Sequence, residues 1–295
     1  MAHTFSIITT CKGRLEHLKQ SLPRMLAQGA AEVIVVDYSC PQGTAEFVRA
    51  NFPDVIVLSV AGETHFSNWK ARNAGAHHAS SDILVFVDAD TILADGAIDS
   101  ISKNLPAQSY GFFDRKTSQS FNRSGPRLAS NQLKGFHVIP AEAFRRLGGY
   151  DEVLVGYAAG ADTDLEERLL SSGIKKHPLD AAIISSIIEH DAASRTEHHA
   201  EPVRTSYGAG LLYRAAKRML LRMRRESELP RGSREKLYAA ARKAVAALGP
   251  DQNRVSMNVT LSQDPILMPR QLGYERGVQS VALRVEVVLE GRIPG

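Results

Sequence analysis

Short apolar runs alternate with helical patterns along the first third of the chain. Four continuous apolar runs are typical of buried strands, at residues 5–10, 32–37, 55–60 and 83–87. Between these runs, apolar side chains recur every three or four positions, which predicts amphipathic helices. The first helix is expected to have its apolar face at Leu15, Leu18, Leu22 and Met25. Strands that alternate with helices predict βαβ units, a mostly parallel sheet, and helices on both faces of that sheet.

The rest of the chain is less regular and then becomes basic. The periodicity predicts a strand, two helices and an apolar stretch, at 109–114, 141–147, 162–172 and 182–188. After residue 205 it predicts two basic amphipathic helices and a pair of alternating strands, at 207–226, 233–248, 255–261 and 280–289. The sequence therefore predicts an α/β protein with a C-terminal helical extension.

Composition narrows the class of protein. Of the 295 residues, 43% are hydrophobic and 23% are charged, which is ordinary for a globular protein and argues against disorder. The formal net charge of +4 suits an anionic ligand or surface. Because no basic tract is interleaved with aromatics in the first two-thirds of the chain, we expect no nucleic-acid partner.

The cysteines and the terminal segment bear on the compartment. Two cysteines, Cys11 and Cys40, form neither a zinc-type spacing nor a disulfide framework, which favours a reducing environment. The N-terminus lacks a basic segment followed by an apolar one, so we expect no signal peptide and a cytoplasmic protein. The basic helix at 207–226 leaves two interpretations open. It can lie peripherally on an anionic membrane, or it can pack its leucines on the protein and solvate its arginines.

Two carboxylates one residue apart, Asp88 and Asp90, follow the fourth predicted strand. In an open α/β sheet, the carboxyl ends of the strands face the ligand crevice. A divalent ion on a diphosphate takes oxygen ligands from one or two carboxylates, with phosphates and water completing its shell. The placement of this pair therefore predicts a metal site, whereas the same two residues alone would indicate a turn.

Other polar residues lie near the ends of the first three strands. Thr10, Lys12 and Arg14 surround the first strand end and the start of a helix, a combination that suits a base or diphosphate. Asp37 ends the second strand, where it can hydrogen-bond a base or ribose, or cap the next turn. Arg72, early in the third helix, can reach a phosphate or lie on a solvated helix face.

The order of these motifs resembles a known family. The segments SIITTCKGRLEHL, VIVVDYSC, KARNAG and ILVFVDADT resemble the nucleotide-sugar half of a family 2 glycosyltransferase of the GT-A fold, with its DxD motif. The segment KGFHVIPAEAFRRLGGYDEVLVGYAAGADTDLEERL resembles the acceptor-side module of β-1,4-galactosyltransferases and chondroitin-type polymerases. The resemblance implies an inverting, hexosyltransferase-type enzyme of carbohydrate biosynthesis. It would move a sugar from a nucleoside diphosphate sugar, most often a UDP-sugar, to a carbohydrate or lipid-linked hydroxyl.

The resemblance also implies roles for individual residues. The nucleotide and diphosphate contacts would be Thr10, Lys12, Arg14, Asp37, Arg72 and Asp88. Asp90 would bind the divalent metal, Mn2+ or Mg2+, and His190 would complete that site. Asp162 matches the catalytic base, and Tyr157 and Asp164 match acceptor contacts. The corresponding segments are a nucleotide-sugar-binding half, an acceptor and catalytic half, and a basic helical extension, at 1–105, 106–204 and 205–295.

The acceptor segment departs from the family pattern. Tyr157 stands where the family has Trp, Ala161 stands where it has Glu, and one residue is inserted between them. An acid that often contacts the acceptor is therefore missing, although Asp162 is retained. Two alternatives stay open: a catalytically inactive sugar- or nucleotide-binding protein of the same fold, and a nucleotidyltransferase. The second usually has a glycine-rich N-terminal loop, whereas TTCKGR has one glycine.

Overall fold

The computed structural model describes residues 3–113, 133, 135–189, 196–249, 252–260 and 282–289. The chain divides into two compact units. The N-terminal unit comprises Met1–Tyr150 and Leu165–His198, and the C-terminal unit comprises Asp151–Asp164 and His199–Gly295. The division into compact units does not test which segment binds the donor and which binds the acceptor. The predicted functional boundaries at residues 105 and 204 therefore stay a prediction.

The elements of the N-terminal unit follow the alternation that the sequence predicts. In chain order they are β1 (Phe5–Cys11), α1 (Leu15–Leu26), β2 (Glu32–Tyr38), α2 (Thr44–Asn51), β3 (Ile56–Val60), α3 (Asn68–His78), β4 (Ile83–Phe86), β5 (Thr91–Leu93), α4 (Ala97–Asn104), β6 (Ser109–Phe112), β7 (His137–Pro140), α5 (Ala141–Arg146), α6 (Ala161–Ser171), β8 (Lys175–Pro178) and β9 (Ile184–Ile187). Helix α6 begins in the C-terminal unit and continues into the N-terminal unit.

Seven strands form the central sheet of the N-terminal unit, in the order β3-β2-β1-β4-β7-β6-β8. Strands β1 to β4 run parallel to their neighbours among themselves. Strand β7 is antiparallel to both β4 and β6, and β8 is parallel to β6. A second, two-stranded sheet pairs β5 with β9. The predicted α/β class with a mostly parallel sheet is confirmed.

Helices cover both faces of the central sheet. Ile7 and Ile8 of β1 are fully buried and belong to two separate apolar clusters. Successive side chains of a strand point to opposite faces, so each cluster lies on one face. One cluster includes Leu18 and Leu22 of α1, and the other includes Phe144 of α5. Burial on both faces explains why the strands are continuous apolar runs.

The C-terminal unit contains two long helices and a strand pair, namely α7 (Val203–Arg224), α8 (Arg231–Ala246), β10 (Arg254–Thr260) and β11 (Ala282–Val288). The helices start directly after Pro202 and Pro230, whose fixed φ suits a helix start. Strands β10 and β11 pair antiparallel, which confirms the predicted pair of strands. Among the described residues, no helix combines the length and apolar character needed to cross a membrane. Peripheral membrane contact through α7 stays a prediction.

Candidate functional site

The structure brings the predicted donor residues of the N-terminal unit to one edge of the central sheet. Cys11, at the end of β1, lies opposite Asp37 in β2. Ile8 in β1 lies opposite Phe86, two residues before Asp88. The carboxyl ends of β1, β2 and β4 are therefore adjacent, which is where ligands bind in open α/β sheets.

Asp88 is held by a buried arginine. Arg72 Nη2 lies 2.6 Å from Asp88 Oδ1 and also donates to the Gly135 carbonyl at 2.6 Å. Arg72 Nη1 donates to the Tyr150 hydroxyl at 3.3 Å. The Arg72 side chain is 1% exposed, whereas that of Asp88 is 32% exposed. The interpretation of Arg72 as part of a solvated helix face is therefore wrong: it is an internal cation that orients an accessible carboxylate.

The surroundings of Asp88 are tightly fitted. A Cβ atom added at Gly135 would lie 1.8 Å from Asp88 Oδ2, so only glycine fits there without displacing the carboxylate. Burial raises the pKa of Asp88 and the neighbouring charge of Asp90 adds to this, while Arg72 opposes it. A divalent ion on this pair would reverse the balance and favour the ionised form.

A second layer of polar contacts supports Arg72. The Tyr150 hydroxyl is 3.0 Å from His137 Nδ1, and His137 Nε2 is 3.6 Å from Glu166 Oε1. Burial alone would raise the pKa of Glu166, but hydrogen bonds and charges from His137 and Lys176 outweigh it and lower the pKa to about 2. Sequence reasoning assigned no role to His137, Tyr150 or Glu166, although all three lie inside the acceptor-side segment that carries the family resemblance.

Asp90 begins the connection to the second sheet. Its backbone carbonyl accepts a hydrogen bond of 2.8 Å from the Ile188 N–H, next to the pairing of β5 with β9. The side chain of Asp90 is partly buried. His190, predicted as a metal ligand, lies outside the described residues.

Lys12 and Thr10 stabilise the loops at this edge. Lys12 Nζ donates to the carbonyls of Tyr38, Ser39 and Glu63, at 3.2, 3.0 and 2.7 Å. An ammonium has three donors, so these contacts join the loops after β2 and β3 to β1. The Thr10 hydroxyl donates to the Asn68 side chain at 2.8 Å, and Arg14, partly buried, precedes α1.

Asp37 serves as a local cap. Its two carboxylate oxygens accept hydrogen bonds from the backbone N–H groups of Cys40 and Ala45, each at 2.7 Å. Ala45 lies in the first turn of α2, where an acidic acceptor is favourable. Asp37 therefore closes the turn after β2 and accepts from the first turn of α2, whose N-cap residue is Gly43. Its contact with a nucleotide stays a prediction.

The predicted catalytic and acceptor residues belong to the C-terminal unit. Asp162 is partly buried and lies in the first turn of α6. The Tyr157 carbonyl accepts a hydrogen bond from the Ser206 hydroxyl, and its ring meets the His199 ring edge-on at 5.8 Å between centroids. Ala161, where the family has Glu, is fully buried.

Asp164 is part of a buried ionic cluster. Lys217 Nζ lies 2.9 Å from Asp164 Oδ1, 2.7 Å from Asp151 Oδ2 and 2.7 Å from Glu228 Oε2. Arg234 Nη1 binds the other oxygen of Asp151 at 2.6 Å. Burial alone would raise the pKa of Asp151, but the charges of Lys217 and Arg234 outweigh it and lower the pKa to about 2. Sequence reasoning missed this cluster because its members are far apart along the chain.

The three carboxylates of this cluster superficially resemble a metal site. One oxygen from each of Asp151, Asp164 and Glu228 lies within 4.8 Å of the others. The Lys217 ammonium is within hydrogen-bonding distance of all three carboxylates, and so it already supplies the positive charge that an ion would bring. We therefore interpret the cluster as an ion-pair network that joins the 151–164 segment to α7.

Comparison with known proteins agrees with this architecture. Residues 6–148 match the family model described as glycosyl transferase family 2. This part of the chain is a family 2 glycosyltransferase domain. The matched range contains the seven predicted donor-side residues of the N-terminal unit, Thr10, Lys12, Arg14, Asp37, Arg72, Asp88 and Asp90. No curated protein sequence matches the chain significantly.

Solved structures share this fold. The mannosyltransferase PcManGT from Pyrobaculum calidifontis, in complex with GDP-Man and Mn2+, is 17% identical with a TM-score of 0.54. That match covers 84% of this chain and 76% of the mannosyltransferase. S. aureus TarS 1-349, in complex with UDP, is 12% identical with a TM-score of 0.55, and the match covers 80% of this chain and 70% of the 1-349 chain. At these identities the likeness establishes the GT-A fold, as the sequence predicted.

Proposed function

We propose that this protein is an inverting, metal-dependent glycosyltransferase that moves a sugar from a UDP-sugar to a hydroxyl acceptor. The observation that carries the proposal is the pair of Asp88 and Arg72 within the family 2 domain. A buried guanidinium fixes an accessible carboxylate at the sheet edge where donor ligands bind. If Asp88 were only a turn residue, it would not need a buried arginine beside it, so we assign Arg72 to positioning the Asp88 carboxylate.

On the donor side, the edge residues would enclose the nucleotide. Lys12 shapes the pocket by tying three loop carbonyls together, and Thr10 and Arg14 line the start of α1. Asp37 retains lone pairs for a base or ribose while it caps α2. Asp88 would contact the ribose or the metal, and Arg72 would act through Asp88.

The residues present fit a divalent cation. Carboxylate oxygens at Asp88 and Asp90 suit Mn2+ or Mg2+, which prefer oxygen ligands and keep positions for phosphates. The Ile188 N–H donates a hydrogen bond to the Asp90 carbonyl. His190, which lies outside the described residues, would be the further ligand that the family resemblance implies. A bound cation would offset the negative charge of the departing diphosphate.

On the acceptor side, Asp162 would accept the proton of the attacking hydroxyl. Asp162 lies in the first turn of a helix, which is a favourable position for a carboxylate. Tyr157 would contact a carbohydrate or lipid-linked acceptor. Because the carboxylate of Asp164 is bound to Lys217, we assign Asp164 to positioning of this segment. The segment 106–204 would supply the acceptor half, after the donor half at 1–105.

Calorimetric titration tests the donor assignment first. UDP and GDP are titrated into the full chain with Mn2+ and again with EDTA. We expect metal-dependent UDP binding, and loss of that binding in Asp90→Asn. The matched control is Asp99→Asn, in the first turn of α4. Unchanged UDP affinity in Asp90→Asn would refute the metal assignment, and stronger GDP binding would reassign the base.

A non-catalytic sugar-nucleotide binder is the second candidate. The observation that favours it is the buried Ala161 at the position of the missing Glu. Release of UDP from UDP-sugars with Mn2+ separates the two candidates, since an inert binder releases none. In the enzyme, Asp162→Asn is expected to retain UDP binding and lose transfer. Full transfer by that variant would remove Asp162 as the base.

A further inference from the structure

The two cysteines of the chain meet at the proposed donor edge. Cys11 ends β1 opposite Asp37, and Cys40 follows Asp37 by three residues. Between Asp37 and Cys40, Ser39 adopts a left-handed backbone with φ of 50°, and the Cys40 N–H donates a hydrogen bond to Asp37 Oδ1. This turn places the Cys40 sulfur beside β1, where the Gly13 N–H donates to it at 3.2 Å. Both cysteines are free thiols.

The surroundings of Cys40 favour an anionic sulfur. Its sulfur accepts a hydrogen bond of 3.2 Å from the backbone N–H group of Gly13. Hydrogen bonding from Cys11 is the largest cause that lowers the pKa of Cys40, and burial only partly opposes it, which leaves a value of about 5. The same pairing and complete burial raise the pKa of Cys11, which therefore stays protonated.

We propose that Cys40 is a covalent modification site for hydroperoxides and alkylating electrophiles, with Cys11 as its resolving thiol. Cys40 is partly exposed and Cys11 is not, so reagents reach Cys40 first. A thiolate that is both accessible and held by donors is the usual reactive form of cysteine. Cys11 ends β1 two residues before Gly13, whose N–H binds the Cys40 sulfur, and this puts the resolving cysteine beside the modified one.

The oxidation balances with a hydroperoxide as the oxidant. The Cys40 thiolate attacks one peroxide oxygen, an S–O bond forms, and the O–O bond breaks with departure of hydroxide or alkoxide. The Cys11 sulfur then attacks the Cys40 sulfur, forming an S–S bond and breaking the S–O bond. The departing oxygen leaves as water after taking up the Cys11 proton. Two electrons pass from the two thiols to the hydroperoxide.

Modification at Cys40 would interfere with the donor site. Cys40 is bonded to Gly13 and Asp37, and Lys12 holds the neighbouring Ser39 carbonyl at 3.0 Å. This consequence rests on the proposed function, because it requires a nucleotide at that edge. The reactivity of the thiol rests on the cysteine geometry alone.

The pH profile of alkylation tests the reactivity. The full chain is treated with iodoacetamide at a series of pH values, and peptide mass spectrometry follows each cysteine. Only two cysteines occur in the sequence, so every added group is assigned to Cys11 or Cys40. We expect Cys40 to react alone, with a rate midpoint near its pKa of about 5 rather than the ordinary value of about 8.5. An ordinary midpoint, or equal reaction at Cys11, would overturn the proposal.

The midpoint is a better criterion than the absolute rate, because a thiolate of low pKa is intrinsically less nucleophilic. Two variants of Cys11 form a matched pair. Cys11→Ser retains a hydrogen-bond donor and is expected to keep the low midpoint. Cys11→Ala removes the donor and is expected to raise it. Identical midpoints in both variants would overturn the role of Cys11 in activating Cys40.

Hydrogen peroxide tests the resolving step. We expect the loss of two hydrogen atoms and a disulfide between Cys11 and Cys40, both reversed by dithiothreitol. In Cys11→Ser, dimedone is expected to trap a sulfenic acid at Cys40. Overoxidation of Cys40 without a disulfide in the unmodified chain would refute Cys11 as the resolving thiol.

Protection by nucleotide separates this proposal from the proposed function. UDP with Mn2+ is expected to slow alkylation of Cys40 at a fixed pH. A low midpoint without protection would uphold the reactive thiol and contradict the donor site. UDP binding together with an ordinary midpoint would uphold the donor site and overturn the reactive thiol.

Discussion

Replacing Lys217 with methionine would show how the C-terminal unit depends on its buried ionic cluster. The Lys217 side chain is 1% exposed, and its ammonium is bound to Asp151, Asp164 and Glu228. Methionine retains a flexible apolar stem of similar size but carries no charge. Two almost fully buried carboxylates, those of Asp151 and Asp164, would lose the cation that they share.

The expected loss is large compared with the stability of a typical domain. Removing one partner of a buried ion pair costs about 3–5 kcal/mol, because the remaining charge stays in a low-dielectric environment. A whole domain is stable by about 5–15 kcal/mol. We therefore expect Lys217→Met to lower the free energy of unfolding at neutral pH by about 3–5 kcal/mol.

The loss is expected to depend on pH. In the unmodified chain the pKa of Asp151 is about 2, below the unfolded value of about 3.9. The stability from this carboxylate is therefore present above about pH 3.9 and is lost as the pH falls towards 2. Without Lys217, only Arg234 and the remaining hydrogen bonds oppose the effect of burial, so the pKa of Asp151 is expected to rise and the carboxylate to take up a proton more readily. The difference between the two proteins should shrink in acid.

Urea denaturation followed by circular dichroism at a helical wavelength measures this difference, because α7 and α8 dominate the C-terminal unit. Fluorescence of Trp69, the single tryptophan, reports the N-terminal unit in the same titration. The control is Lys236→Met on the exposed face of α8, which should change stability by less than about 0.5 kcal/mol. A loss below about 1 kcal/mol for Lys217→Met, or one independent of pH, would refute the reasoning.

Three further predictions concern other parts of the chain. Arg72→Lys keeps the charge but loses the planar fork that orients Asp88, so metal-dependent UDP affinity should fall about 10- to 100-fold by calorimetry; an unchanged affinity would contradict the positioning role. Gly210→Ala would place a Cβ atom 2.0 Å from the Ala159 carbonyl oxygen, and we expect a loss of about 1–3 kcal/mol in urea denaturation rather than a gain from helix propensity. The pKa of Glu166 is about 2, below the unfolded value of about 4.3, so the stability that this carboxylate contributes above pH 4.3 is lost as the pH falls towards 2. Glu166→Gln should therefore flatten the curve of unfolding free energy against pH between those values. An identical curve for the variant would contradict this contribution of Glu166.

Local patterns in the sequence determined the elements of the N-terminal unit and its class. The apolar run at 32–37 is a strand because both of its faces are buried, and burial selects apolar side chains whatever the partner. The apolar face of α1 follows in the same way, since the predicted positions Leu15, Leu18, Leu22 and Met25 are all buried. The order of short motifs also indicated the glycosyltransferase family, because the motifs at β1, β2 and β4 occupy strand ends that the topology fixes.

Only the tertiary structure decided how charged groups are paired. Arg72 and Asp88 lie 16 residues apart, and Lys217 and Asp151 lie 66 residues apart. Along the sequence, Lys217 is one cation of a basic helix, and the pattern favours solvent for such a residue because burying an unpaired charge is costly. Folding supplies three carboxylates that offset this cost, and it brings two cysteines from neighbouring strand ends close together. Periodicity records which face of an element is buried, whereas the pairing of charges depends on which elements become neighbours.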